Sequence, residues 1–243
     1  MCCGSPRQDR EIPKTEVKKG TQTRGWKMDD TIVQIALDVT SIDKAVRLGE
    51  IAVKVGADWL EAGTPLITFE GVEAIGALAR EFPQVPIVAD YKSMDGVAKY
   101  VEEAGRQGAS IATVCAVTSD ASVREAVRAG RESKVKIVAD LLAVPDLAKR
   151  AQEVTGLGVD YVMVHLGADE IRERPTEDPL TGLSEVVEAV DVPVGVGTFN
   201  GEQAVEAVKK GARVIVQGNP LLSSDNMQKA LGEFIERVKS VAR

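Results

Sequence analysis

The sequence predicts a (β/α)8 barrel, and three observations carry that reading. From residue 31 onward, short apolar runs alternate about eight times with amphipathic stretches of helical length. The runs are rich in Val, Ile and Ala with little polar interruption, as parallel strands covered on both faces require. A chain of 243 residues is about what one such barrel needs. A doubly wound open sheet is the alternative, and it fits less well because no GxGxxG follows the first run.

In order, the predicted strands are TIVQIALD (31–38), ADWLEAG (57–63), VPIVADYK (85–92), ASIATVCAV (109–117), VKIVADLL (135–142), VDYVMVHLG (159–167), VPVGVGT (192–198) and ARVIVQG (212–218). Between them lie helical patterns such as SIDKAVRLGEIAVKVG and NGEQAVEAVKKG. Gly56, Gly108, Gly158 and Gly211 stand where helix stops are expected. The barrel domain is placed at residues 31–243. Residues 1–30 have no sustained hydrophobic period and read as an irregular N-terminal arm.

Composition excludes several classes. Net charge is −7, which disfavours a general nucleic-acid surface. The charge is uneven: residues 1–27 carry seven Lys or Arg against three Asp or Glu, a net of +4, which leaves −11 for the remainder. That arm can lie against its own acidic body or a partner subunit, or do neither. No apolar run approaches the roughly 20 residues of a membrane span, and no signal peptide is expected. Cys2, Cys3 and Cys115 form neither a disulfide framework nor a zinc-finger spacing, which points to a reducing cytoplasm.

The strand ends carry the chemistry. In order they offer Asp38, Glu61, Asp90, Thr113 or Cys115, Asp140, His165, Gly197 and Gly218. All C-terminal ends of such a barrel open on one face, where active sites sit. Four carboxylates, Lys92 and the single histidine of the chain then converge on one mouth. Asp90 and Lys92, two apart on an extended chain, face the same way. Lys92, lying between Asp90 and Asp95, is expected to stay protonated, either as a structural ion pair or as fixed positive charge for an oxyanion. Glu61 and Asp90 are hard oxygen ligands suited to Mg2+, which can hold sugar oxygens and stabilise an enediolate. His165 can move a proton at neutral pH. The turns GVGTFNGEQ and VIVQGNP, after the seventh and eighth strands, sit where this fold binds phosphate.

Taken together, QIALDVTSIDKAV, GADWLEAGTPLI, IVADYKSMD, VHLGAD and the two terminal glycine turns resemble the 3-hexulose-6-phosphate synthase family, in the orotidine-monophosphate-decarboxylase-like superfamily. The resemblance covers roughly residues 32–240. It implies a Mg2+-dependent aldol condensation of formaldehyde with ribulose 5-phosphate, giving hexulose 6-phosphate, and its reverse. By motif match, Asp38 binds substrate, Glu61 and Asp90 hold the metal, Lys92 stabilises the enediolate and His165 is the acid or base. Asp95 reaches the neighbouring subunit's site in a homodimer. Thr113, Asp140 and Asp169 are counted among the substrate contacts, and Gly197 and Gly218 match the phosphate loops. Glu61 stands where orotidine-monophosphate decarboxylase carries a Lys, and the stretch HLGAD lacks the Arg that keto-gulonate-phosphate decarboxylases place shortly after this His.

The chain also departs from its relatives. Leu166 replaces the Thr of HTGxD, Gly197-Thr198 replaces a Gly-Gly pair in a stretch one residue shorter, and QGNPL replaces a VGSAI-like loop. Pro220 removes one N–H donor. Thr198 and Asn219 are the expected replacement donors, so phosphate is expected to be held mostly by backbone and more weakly than in a typical synthase. A different enediolate enzyme of the superfamily and a non-catalytic metabolite-binding barrel are the competing readings.

Overall fold

In the computed structural model, which describes residues 31–241, the eight runs form eight parallel strands closed into one barrel in sequence order. The arm expected over residues 1–30, with Cys2 and Cys3, lies outside the described residues. The strands are β1 (Ile32–Leu37), β2 (Trp59–Ala62), β3 (Ile87–Ser93), β4 (Ile111–Cys115), β5 (Lys136–Asp140), β6 (Tyr161–Val164), β7 (Val194–Thr198) and β8 (Val214–Gln217). Closure is made by β1, which pairs with β2 (Gln34 opposite Trp59) and with β8 (Ile35 opposite Gln217). Among the described residues, no helix is long and apolar enough to cross a membrane.

The helices are α1 (Ile42–Lys54), α2 (Thr64–Glu70), α3 (Glu73–Glu81), α4 (Val97–Arg106), α5 (Asp120–Ser133), α6 (Leu147–Gly156), α7 (Ala168–Glu173), α8 (Leu183–Ala189), α9 (Gly201–Lys209) and α10 (Met227–Val241). Gly56, Gly108, Gly158 and Gly211 all take positive φ just past a helix end, between +93° and +102°. After α1, Gly56 N–H donates to Val53 and Ala57 N–H to Ala52, the paired bonds that close a helix on a left-handed residue. Two connections hold an extra helix that the repeat did not foretell. Pro65 in the first turn starts the seven-residue α2, and Gly71 ends it. The six-residue α7 follows His165 in the same way, ahead of α8.

Strand alternation sorts the side chains into two sets. Val33, Ile35, Leu37, Leu60, Ile87, Ala89, Val162, Val196 and Ile215 face outward and pack under the helices in the larger core. Ile32, Trp59, Val88, Ile111, Val138 and Val214 face inward, with Tyr161, Met163 and Val216, and fill the barrel floor. Trp59 and Tyr161, the first residues of β2 and β6, meet edge to face at 5.4 Å. Two residues further along the inward face, apolar gives way to polar: Val88 is followed by Asp90, Trp59 by Glu61 and Val138 by Asp140. A dry plug therefore lies beneath a polar mouth, and the period of two puts each charged group on it.

Candidate active site

Asp90 is the centre of the mouth. It is 3% exposed, and its carboxylate is bonded from several sides. Thr113 Oγ1 donates to Oδ1 at 2.9 Å, and Lys92 Nζ pairs with Oδ2. Thr64 Oγ1 lies 2.7 Å from Oδ2 and 2.9 Å from the Asp90 carbonyl, and accepts from Lys92 Nζ at 3.2 Å. Burial opposes ionisation of Asp90. The Lys92 charge and the bonds from Lys92, Thr64 and Thr113 outweigh it and hold the carboxyl below its usual range. Burial also works against a charged Lys92, yet Asp90, Glu61 and Asp140 keep it above the ordinary lysine value, so it is an ammonium.

Glu61 is the opposite case. It is buried, and burial pushes its carboxyl well above the usual range; Asp90 and Asp38 push it further, and Lys92 and a bond from Gln34 Nε2 offset only part of this. Asp38 opens to solvent at the rim but is also raised, by desolvation and then by Asp90, against the pull of Lys92 and His165. A Cβ added at Gly63 would fall 2.2 Å from Asp38 Oδ1, so that carboxylate occupies the space glycine leaves. Across the mouth, His165 Nδ1 donates to Asp140, 2.9 Å from Oδ2 and 3.1 Å from Oδ1. Leu142 N–H fixes Asp140 Oδ1 at 2.9 Å. Burial favours neutral imidazole, but the bond to Asp140 and its charge prevail, and the His165 pKa rises.

Among the described residues, no three His, Cys, Asp or Glu side chains form a closed metal cage. Glu61 and Asp90 can nevertheless hold a divalent cation as two hard oxygen donors in an open shell. Glu61 suits that role: it is a desolvated carboxylate crowded by two others, the condition a cation would relieve.

The expected residues divide. Asp38, Glu61, Asp90, Lys92, Thr113, Asp140 and His165 come together. Gly197 and Gly218 lie beside them on the inward face of β7 and just beyond β8, and a Cβ at Gly197 would meet nothing within 4 Å. Thr198 does not join them. It shares the outward parity of Val194 and Val196, is buried, and spends its hydroxyl on Val216 O at 3.2 Å. Asn219 is exposed, and its Oδ1 accepts from Ser223 Oγ at 2.6 Å. Asp169 turns outward from α7, its side chain 96% exposed and paired with Arg172 at 2.9 Å. Asp95 is exposed outside the cluster, two residues ahead of α4, which begins at Val97. Asp90 and Lys92 do meet, though through an irregular β3 rather than a plain extended strand.

Gln34 and Thr64 are the site residues that sequence reasoning missed. Gln34 is a polar residue inside an apolar run, four before Asp38 and so inward. Thr64 begins α2 in the GTP that follows Glu61.

Comparison with known proteins bears on this arrangement. The model of the orotidine 5'-phosphate decarboxylase / HUMPS family matches residues 31–234. A 3-hexulose-6-phosphate synthase of Mycobacterium gastri is 35% identical over 204 residues, covering 83% of this chain and 97% of its own. One from Bacillus subtilis (strain 168) is 31% identical over 193 residues, covering 79% and 91%. A crystal structure of a 3-hexulose-6-phosphate synthase superposes with a TM-score of 0.79 at 31% identity, covering 86% of this chain and 99% of that one.

Proposed function

Because the chain belongs to the orotidine 5'-phosphate decarboxylase / HUMPS family, we propose that it is an aldehyde lyase of the 3-hexulose-6-phosphate synthase type. It joins formaldehyde to ribulose 5-phosphate, and runs the reverse, through an enediolate. The observation that carries this reading is the Lys92 ammonium, paired with Asp90 beside Glu61 and facing His165 across one mouth. Fixed positive charge there stabilises an enediolate oxygen as charge develops on it. Asp140 holds Nδ1–H, so Nε2 is the ring atom left to take or give a proton. The base takes the C1 proton of the sugar, C1 forms a bond to the formaldehyde carbon, and the new alkoxide oxygen is protonated. Mg2+, held by Glu61 and Asp90, supplies Lewis-acid stabilisation of the sugar oxygens when bound. Gly197 and Gly218 leave backbone N–H groups accessible to the phosphate.

The active unit in this reading is a homodimer. Among the described residues, Phe69, Met94, Tyr100 and Val117 are the large apolar side chains that stay exposed, and Met94 adjoins Asp95. By family likeness, Asp95 serves the partner's site. An active monomer at micromolar concentration in sedimentation would overturn that part.

The aldol assay tests the whole. Hexulose 6-phosphate should form from formaldehyde and ribulose 5-phosphate, stop with EDTA and resume with Mg2+. Full activity in chelator removes the metal, and no product with either removes the reaction. Leu166 and the altered β8 loop favour a second reading, an enediolate enzyme acting on a keto-acid sugar phosphate. Carbon dioxide release from such a substrate, with no aldol product, would establish that alternative.

A further inference from the structure

The ladder between β3 and β4 is regular at Val88–Ile111 and Ala89–Ala112, and then jumps to Ser93–Val114. Four steps on β3 are set against two on β4, so the backbone from Asp90 to Lys92 loses its ladder partners. Lys92 lies inside this bulge at φ +45°, a left-handed conformation that a side-chain-bearing residue adopts only under constraint. The constraint is visible. Lys92 N–H donates to Thr113 Oγ1 at 2.9 Å, and Cys115 Sγ–H donates to Lys92 O at 3.2 Å. Thr113 and Cys115 are successive inward residues of β4, and the Ser93 hydroxyl donates to Thr113 O at 3.2 Å to close the bulge.

We propose that Thr113 and Cys115 are positioning residues for Lys92. These two β4 side chains take the place of the broken ladder, one on each backbone polar group of Lys92. Together they hold it in the conformation that turns its ammonium back onto Asp90. Thr113 therefore acts on the machinery rather than on the substrate, since its hydroxyl accepts from Lys92 and donates to Asp90. Cys115 is likewise not a nucleophile. Burial and then Asp140 push its thiol up to about 11, so it remains the S–H donor this role needs. The catalytic consequence rests on the proposed role of Lys92; the clamp itself rests on the bulge.

The test compares Cys115→Ala with Cys115→Ser, and Thr113→Val with Thr113→Ser, in the full-length protein. Each is followed by aldol kinetics and by amide hydrogen exchange read at Lys92, with an amide of the floor strands as control. Cys115→Ala and Thr113→Val should lower kcat roughly 10–100-fold with KM for the sugar phosphate little changed, because small misplacements of a reacting group cost about that much. Exchange at Lys92 should quicken while the control stays slow, and the Ser variants should recover most of both. Unchanged Lys92 exchange in Cys115→Ala, or no recovery in Cys115→Ser, overturns the clamp. If Thr113→Val does not fold, the Cys115 pair decides alone, since that side chain bonds only the Lys92 carbonyl. A wild type without aldol activity would sink the reaction, while exchange at Lys92 still decides the clamp.

Discussion

The mouth of the barrel is built in two ways. From β1 to β6 it is made of buried charge, in which Glu61, Asp90, Lys92, Asp140 and His165 are each held by a named partner. At β7 and β8 it is made of absent side chains, at Gly197 and Gly218. The first half depends on side chains whose loss leaves a neighbour's charge unpaired in a dry place. The second depends on backbone shape rather than on side-chain pairing. In the proposed reading, chemistry belongs to the charged half and grip to the glycine half. Substitutions in the two should therefore fail differently, the first in turnover and stability together, the second in affinity alone.

The largest effect is expected at Lys92. Lys92→Ala leaves Asp90, 3% exposed, without its cation and removes the charge that offsets Glu61. Breaking a buried pair from one side costs about 3–5 kcal/mol. Urea unfolding should show a loss of that order, and the aldol assay no product. Lys92→Ala with Asp90→Asn should recover part of the stability and none of the activity. A stable Lys92→Ala would show that the charged half is not held by its own pairing.

The next effect separates chemistry from binding. His165→Ala should lower turnover by roughly 10²–10⁴-fold and leave the affinity for the sugar phosphate nearly unchanged. Equal losses in both would place His165 on the binding side of the comparison.

Much of the charged half was legible in the sequence, because a carboxylate two residues beyond an inward apolar residue must itself point inward. Asp90 after Val88 and Asp140 after Val138 follow that rule. Gln34 obeys the same parity but is uncharged, and Thr64 stands on a helix start outside any strand, so neither announced itself. Parity also had the answer for Thr198, which lies in step with outward Val194 and Val196 and out of step with Gly197. Asp169 was misplaced because α7 is a six-residue helix with no periodic face to fix its orientation. The bulge in β3 was not readable at all. It arises from a mismatch with β4, and a single strand's pattern carries no record of its neighbour's register.

A smaller effect concerns Asp140. Asp140→Asn removes the charge that lifts His165, so the imidazole pKa should fall. The chain has one histidine, which makes its NMR titration unambiguous. The sign follows from the direction of the shift. A histidine raised in the folded state stabilises the protein fully below its unfolded value near 6.5, and that gain disappears as pH rises through the folded value. Wild type should therefore exceed Asp140→Asn in stability most at pH 6 and least at pH 9. Turnover should fall on the order of 10²-fold, because a neutral amide no longer fixes the ring tautomer or stabilises the imidazolium. An unmoved titration would mean that Asp140 does not set the charge of His165.

The smallest effect is expected in the glycine half, and Gly197 is the place to measure it. Gly218→Val is a poor probe, because a Cβ there would already sit 3.2 Å from Ala36 O and 3.7 Å from Asp38 Oδ2. Lost binding in that variant would mix a disturbed backbone with a blocked anion. At Gly197 a Cβ meets nothing within 4 Å, and φ is not in the left-handed region, so Ala fits without strain. Its methyl group would stand in open space on the mouth side of β7, where a phosphate must come close to use the backbone N–H groups. Gly197→Ala should thus unfold within about 0.5 kcal/mol of wild type, as substitutions without a packing cost do. Its Kd for ribulose 5-phosphate should rise about tenfold, the scale of one weakened bond to a charged group. The His165 titration should not move. Wild-type affinity in this variant would show that phosphate does not approach β7, and the grip would then have to be sought beyond β8. A shifted His165 titration would instead show that the two halves are not independent.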